Sequence, residues 1–280
     1  MLNSEEVAAV RSLAAAVAAA DGEHPLNEDA SLALASDDAE VTHHVEYRDG
    51  HLAGYAQGNA RHGTAQLFVH PAHRRRGIGA NLLNAVERCP VWAFGDLHAA
   101  HHFASATNLV ERRRLLVMQR PLDPPTGISE PDIRPFDPDT DTEQFLAVNA
   151  AAFAWHPEQA HFSRADLTAR LAEPWFDPAG FLVSADAAGL TGFHWTKRHP
   201  DGRGEVYILA THPRAQGTGL GRRLLAAGLD HLASQGCPTV HLYVEASNVR
   251  AVELYDRAGF AVVHSDVLYG PASEPSQELP

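Results

Sequence analysis

Cysteine is nearly absent: the 280-residue chain has two, Cys89 and Cys237. That is too few for a disulfide framework and is the usage expected of a protein in a reducing cytoplasm. Long apolar runs are missing too. No stretch approaches the roughly 20 residues of a membrane span, and the opening segment MLNSEEVAAVRSLAAAVAAADG carries acids where a secretion signal would be basic. Basic charge is scarce, with 22 Lys+Arg against 35 Asp+Glu and a formal net charge of -13. Such a surface repels phosphate backbones and anionic lipid, so neither nucleic acid nor membrane is expected as a partner, and an anionic ligand must be held locally. The expected setting is cytoplasmic and the expected state a monomer. Metal-ligand spacings are also lacking. Of the 18 histidines, the adjacent pairs His43-His44 and His101-His102 cannot both face one ion from a regular element, and no HExxH or Cys/His pattern occurs, so no metal is expected.

What the chain does have is length for two domains and an internal repeat. VHPAHRRRGIGANLL (69–83) and THPRAQGTGLGRRLL (211–225) share a pattern, with Gly77 and Gly219 lying 142 residues apart, close to half the chain. Each glycine loop leads into a Leu-Leu helical segment ending in Cys-Pro, and the second copy is longer there, which predicts a longer helix. Between the copies a proline-rich, acidic stretch, RPLDPPTGISEPDIRPFDPDTDTE, reads as a linker. The predicted division is 1–124, 125–272 and a disordered tail over 273–280. The first helix is predicted from Ser4 as N-cap to Gly22 just past its end. Strands are predicted near 41–48, 51–58 and 63–70, followed by a helix at 77–88. In the second half the order is strand 132–136, helices 141–153 and 163–172, strands 180–185, 190–197 and 204–211, helix 217–235, strand 239–245, helix 248–257 and strand 260–268. This is an α/β (α+β) chain in which each half has a mixed central sheet flanked by helices.

In the second copy Gln216 is followed by Gly217, Thr218, Gly219, Leu220 and Gly221, directly after a strand and directly before a helix. Glycines let the backbone turn tightly and approach a ligand, while the free N–H groups of the helix start point into the loop with a positive dipole end behind them. That suits a pyrophosphate. A turn that merely starts a helix is the competing reading, less favoured because the loop occurs twice. A Rossmann fingerprint would follow the first strand of its unit, and a P-loop would add Lys-Ser/Thr; neither condition is met.

The pattern Gln216-x-x-Gly219-x-Gly221, with Arg74-x-x-Gly77-x-Gly79, resembles the acetyl-CoA loop of the GCN5-related N-acetyltransferases. The second half adds that family's downstream run, with Asn248, Ala251, Tyr255 and Gly259-Phe260 in place. The stretches NAAAFAWHPEQ (149–159), EPWFDPAG, GFHWTKRHPDG, GEVYILATHP and LYVEASNVRAVELYDRAGF, with DGEHPLNEDASL and RRRGIG in the first half, are similar to the tandem members known as the mycothiol synthase family. The resemblance implies two tandem acyl-CoA N-acyltransferase domains. It also implies acetyl transfer from acetyl-CoA to a small-molecule amine, the cysteine amine of a cysteinyl-glucosaminyl-inositol.

By the same resemblance Glu205 is the base that takes the proton of the incoming ammonium, and Tyr255 the acid that protonates the departing thiolate. Backbone N–H groups around Leu209, Ala210 and Thr211 stabilise the oxyanion and align the pantetheine arm. The loop from Gln216 to Gly221 with Arg222, helped by Arg223, holds the pyrophosphate, and Asn248, Val249, Arg250, Ala251, Val252 and Glu253 complete the cofactor site. The acceptor is held by Glu28, Glu158, Lys197, Glu205 and Tyr243. Trp155, Trp175 and Trp195 are either sugar-stacking or core residues. The first half offers a second acetyl-CoA site at Leu67, Phe68, Val69, Arg75, Arg76, Gly77, Ile78, Gly79 and Ala80. It lacks a counterpart of Tyr255, and Gly63 stands at the spacing that matches Glu205, so this half is expected to bind without catalysing. Two rival readings stay open at this level: another amine acceptor, such as an aminoglycoside or a protein N-terminus, and an acetyl-CoA sensor without turnover.

Overall fold

The computed structural model describes residues 1–127, 130–155 and 162–272. Among them are eight α-helices and eleven strands, and the chain divides into two compact units, residues 1–115 with 264–272 and residues 116–263. The division falls inside a strand, upstream of the proline-rich stretch. Glu158 and the tail 273–280 lie outside the described residues.

Unit 1 opens with α1 (Ser4–Asp21). Its N-cap is Asn3, one residue before the predicted Ser4. The Asn3 side chain accepts from the Glu5 and Glu6 N–H groups while Glu6 reaches back to the Asn3 N–H, and this reciprocal pairing decides the start. Gly22 ends the helix in the left-handed region, as expected. There follow α2 (Glu28–Ala33), β1 (Val41–Arg48), β2 (His51–Asn59), β3 (Thr64–Val69), α3 (Ile78–Ala85), β4 (Val91–Ala93), α4 (His98–Ala106) and the first part of β5 (Leu109–Pro121). The final strand, β11 (Ala261–Pro271), returns from residue 264 onward to pair antiparallel with β4 through Val267, Leu268 and Tyr269. The sheet order in this unit is β1-β2-β3-β4-β11-β5. One face is covered by α1 and α2 over Tyr55 and Phe68, the other by α3 over Ala53, Ala56 and Val267.

Unit 2 continues with the rest of β5, then β6 (Ile133–Pro135), α5 (Pro138–Ala152), α6 (Arg164–Leu171), β7 (Phe181–Asp186), β8 (Gly189–Arg198), β9 (Gly204–Thr211), α7 (Leu220–Ser234), β10 (Thr239–Glu245) and α8 (Val249–Arg257). Its strand order is β5-β10-β9-β8-β7-β6. Alternation along β8 divides its side chains between two layers. Phe193 and Trp195 enter the aromatic core under α5, where Trp195 stacks on Phe181 at 4.3 Å. Gly192 and His194 face α7. Trp195 is fully buried, which removes it from the sugar-stacking candidates.

The repeat persists at atomic detail. A Cβ on Gly54 would meet Ile78 and Leu82 of α3, and a Cβ on Gly192 would meet Leu220 and Leu224 of α7. In each unit this glycine lets the helix after the loop lie close against the sheet. Unit 2's helix is the longer, 15 residues against 8.

Candidate active site and cofactor loops

Both glycine loops are built alike. His70 and His212 each accept from the N–H two residues on, opening the single 3-10 turns Pro71–His73 and Pro213–Ala215. Gly77 and Gly219 then adopt φ 84° and 83° as N-caps of α3 and α7, and neither provides a side chain to cap the first N–H groups. Those donors remain directed at the loop, as an anion site requires. The loops differ one step earlier. Gly217 takes φ 78°, and Arg75 takes φ 63° at the matching place, a conformation costly for a side chain.

The neighbouring strands also separate alike. β9 and β10 run parallel but pair only at Gly204 with Val240 and Glu205 with His241, and β3 and β4 only at Ala65 with Val91 and Gln66 with Trp92. Beyond these points alternate N–H groups of β9, in the stretch containing Leu209, Ala210 and Thr211, face a gap rather than a strand. Gln216 to Gly219 are exposed, Leu220 is buried under the loop, and Arg222 is exposed at the first turn of α7. Arg223, the next residue, is ion-paired to Glu130 and Asp132. Asn248 caps α8 by accepting from Ala251. Val249, Val252 and Glu253 line a depression of about 250 Å³ with Met118 and Phe260, while Arg250 is exposed.

Unit 1 has a larger cavity, about 680 Å³, lined by Leu67, Phe68, Val69, Arg75, Gly77, Ile78, Gly79 and Ala80 together with Trp92, Phe103 and Tyr269. Arg76 is exposed and does not line it. Arg74 is a structural clip, bidentate to Asp21 at 2.7 and 2.8 Å. Tyr269 reaches the cavity from β11, where its hydroxyl lies 3.3 Å from His101 Nδ1, and His101 Nε2 lies 2.7 Å from Asp96. No local spacing announces this trio, because Tyr269 is 168 residues from His101.

Glu205 sits at the second position of β9, buried at 7% exposure. His199 Nε2 is 2.6 Å from its Oε2, and His241 Nε2 lies 3.8 Å from the same oxygen. Burial holds the His241 imidazolium form down, opposed by the adjacent Glu205 charge. Lys197 is Glu205's cross-strand partner. It is itself buried, with its ammonium 4.7 Å from the Trp175 ring centre and 5.5 Å from that of Tyr207. Tyr243, half exposed, packs edge-on to His241. Thus Glu205, Lys197 and Tyr243 gather around one end of β9. Glu28 is the first residue of α2 in unit 1.

Tyr255 is buried on α8 against Phe260, in the cluster that contains Val206. Burial raises its phenol above the ordinary value. Tyr255 is the seventh residue of α8 and the one it buries; the seventh residue of α4, also the one that helix buries, is Ala104.

The fold and loops define an acetyltransferase of the GCN5-related class. The Acetyltransferase (GNAT) family matches residues 9–110 and 149–260, so the chain belongs to that family, once in each half. Among solved structures it is similar to a GCN5-related N-acetyltransferase from Sphaerobacter thermophilus (TM-score 0.73, 23% identity, 98% of this chain and 95% of that one). It is also similar to a tandem GNAT protein from the clavulanic acid biosynthesis pathway (TM-score 0.71, 19% identity, 98% and 97%). Within the class, the chain belongs to the mycothiol acetyltransferase family. It is 44% identical to the mycothiol acetyltransferase of Thermomonospora curvata over 96% of this chain and 94% of that one, and 42% identical to that of Streptomyces coelicolor over 96% and 92%.

Proposed function

We propose that the chain transfers the acetyl group of acetyl-CoA to the cysteine amine of the cysteinyl-glucosaminyl-inositol that precedes mycothiol. The observation that carries this reading is the 44% identity, nearly end to end, to a mycothiol acetyltransferase. The chemistry needs a neutral amine. Glu205, directly or through a water, takes the proton of the substrate ammonium. The freed nitrogen attacks the thioester carbon, forming a C–N bond and an oxyanion that accepts from a β9 N–H among Leu209 to Thr211. Collapse re-forms the C=O bond and breaks the C–S bond, Tyr255 donates its proton to the CoA thiolate, and the second proton, released by the acylated nitrogen as it becomes a neutral amide, restores Tyr255. Burial raises the phenol pKa and so keeps Tyr255 in its protonated, donating form until the thiolate forms beside it.

Lys197, Tyr243 and Glu158 hold the hydroxyls of the acceptor. The loop Gln216 to Gly221, with Arg222 and the start of α8, holds the cofactor. Unit 1 binds a second acetyl-CoA in its cavity without transferring it, since Ala104 stands in place of an acid. Incubating the full chain with acetyl-CoA and the cysteinyl acceptor, beside aminoglycosides and a peptide N-terminus, tests the reading. Products are read by mass, because the acceptor's own thiol would react with thiol dyes. N-acetylation of the cysteinyl acceptor is expected; turnover of another amine without it would overturn the assignment.

A further inference from the structure

We propose that His199, Glu205 and His241 form a site for one divalent transition-metal ion of the Zn²⁺ type, and that the ion switches acetyl transfer off. The three residues come from different elements, the turn after β8, β9 and β10, and their ligand atoms lie within 4.8 Å of one another. Backbone pairing of Glu205 with His241 fixes two of the three donors. With metal–nitrogen and metal–oxygen bonds of about 2.0–2.2 Å, tetrahedral ligand atoms stand roughly 3.3 Å apart. The His199 distance of 2.6 Å therefore opens slightly and the His241 distance of 3.8 Å closes slightly, both within reach of side-chain rotation.

Two imidazoles and one carboxylate suit Zn²⁺, Co²⁺ or Ni²⁺ rather than Mg²⁺ or Ca²⁺. Three protein ligands leave a fourth position for water or a thiol, and the 24% exposure of the His199 side chain provides a way in. The nearby Lys197 ammonium is turned over Trp175 and Tyr207. The inhibitory half of the proposal rests on the reading of Glu205 as base: a carboxylate that donates an oxygen to a divalent cation loses basicity at both oxygens and no longer draws the ammonium proton.

The test titrates the full chain with Co²⁺ alone, following its visible absorption, and then with Zn²⁺ as competitor. One ion per chain is expected. His199→Gln and His241→Gln should each weaken binding at least about tenfold, by loss of a direct ligand. Zn²⁺ should abolish turnover and a chelator restore it. Unchanged Co²⁺ stoichiometry and affinity in the double His→Gln variant, verified as folded by its acetyl-CoA binding, would overturn the site. Histidine-dependent binding without loss of turnover would overturn the inhibition, and the role of Glu205 with it, while leaving the metal site standing.

Discussion

At the scale of single residues, the proposed chemistry rests on two buried groups, Glu205 and Tyr255. Replacing Glu205 with Gln keeps its size and removes the base, so kcat is expected to fall by roughly 10- to 1000-fold with little change in acetyl-CoA affinity. Tyr255→Phe should cost a similar factor. An unaltered steady-state rate in either variant would remove that residue from its role. The placement of both, on a strand before the loop and on the helix after the next strand, was legible from their motifs. The company Glu205 keeps was not: His199 is six residues away and His241 lies on another strand, and only pairing in the sheet brings the second imidazole to the carboxylate. Arg223 shows the converse. Its place after the loop reads as pyrophosphate-binding, but which acids a guanidinium meets depends on the segment folded beside it, here Glu130 and Asp132.

Among the elements, the packing of α7 on β8 is the most sensitive joint. A Cβ on Gly228 would lie 2.1 Å from the ring of His194, which is fully buried and 2.8 Å from the Leu224 carbonyl. Gly228→Ala, ordinarily favourable in a helix, is therefore expected to destabilise by about 1–3 kcal/mol through overpacking, read from the urea unfolding midpoint. The same ring makes stability depend on pH. Burial lowers His194 to about 4, below the 6.5 of an unfolded histidine, so between those values the unfolded chain binds the extra proton. Stability contributed here is complete above pH 6.5 and declines toward pH 4, by up to about 3 kcal/mol. Unfolding free energies at pH 5 and pH 7 should differ in that direction, and a His194→Gln variant that stays folded should flatten the difference. Some strands were legible, with β1, β9 and β10 at their predicted bounds, but the 13-residue β5 was not predicted. The short β4 and the helix α4 escaped because three residues give no period, and HAAHHFASA lacks a strong apolar stripe.

For the whole molecule, two loops of one design lead to a count. Calorimetry should find two acetyl-CoA molecules per chain, and Arg75→Gly should weaken one of them while relieving the positive φ that Arg75 now holds. A single site, abolished by substitutions at Gly219 and Gly221, would refute the second. The repeat could be seen in the letters because both copies retain their glycines. The return of β11 to unit 1 could not, since nothing in a strand's composition names its partner. That return has a consequence for synthesis. Val267, Leu268 and Tyr269, which flank β4, leave the ribosome after the whole of unit 2. Unit 1 is encoded first yet is completed last, so a nascent chain stopped before His264 should hold an open sheet edge at β4 and be cut there by protease, while the finished chain resists.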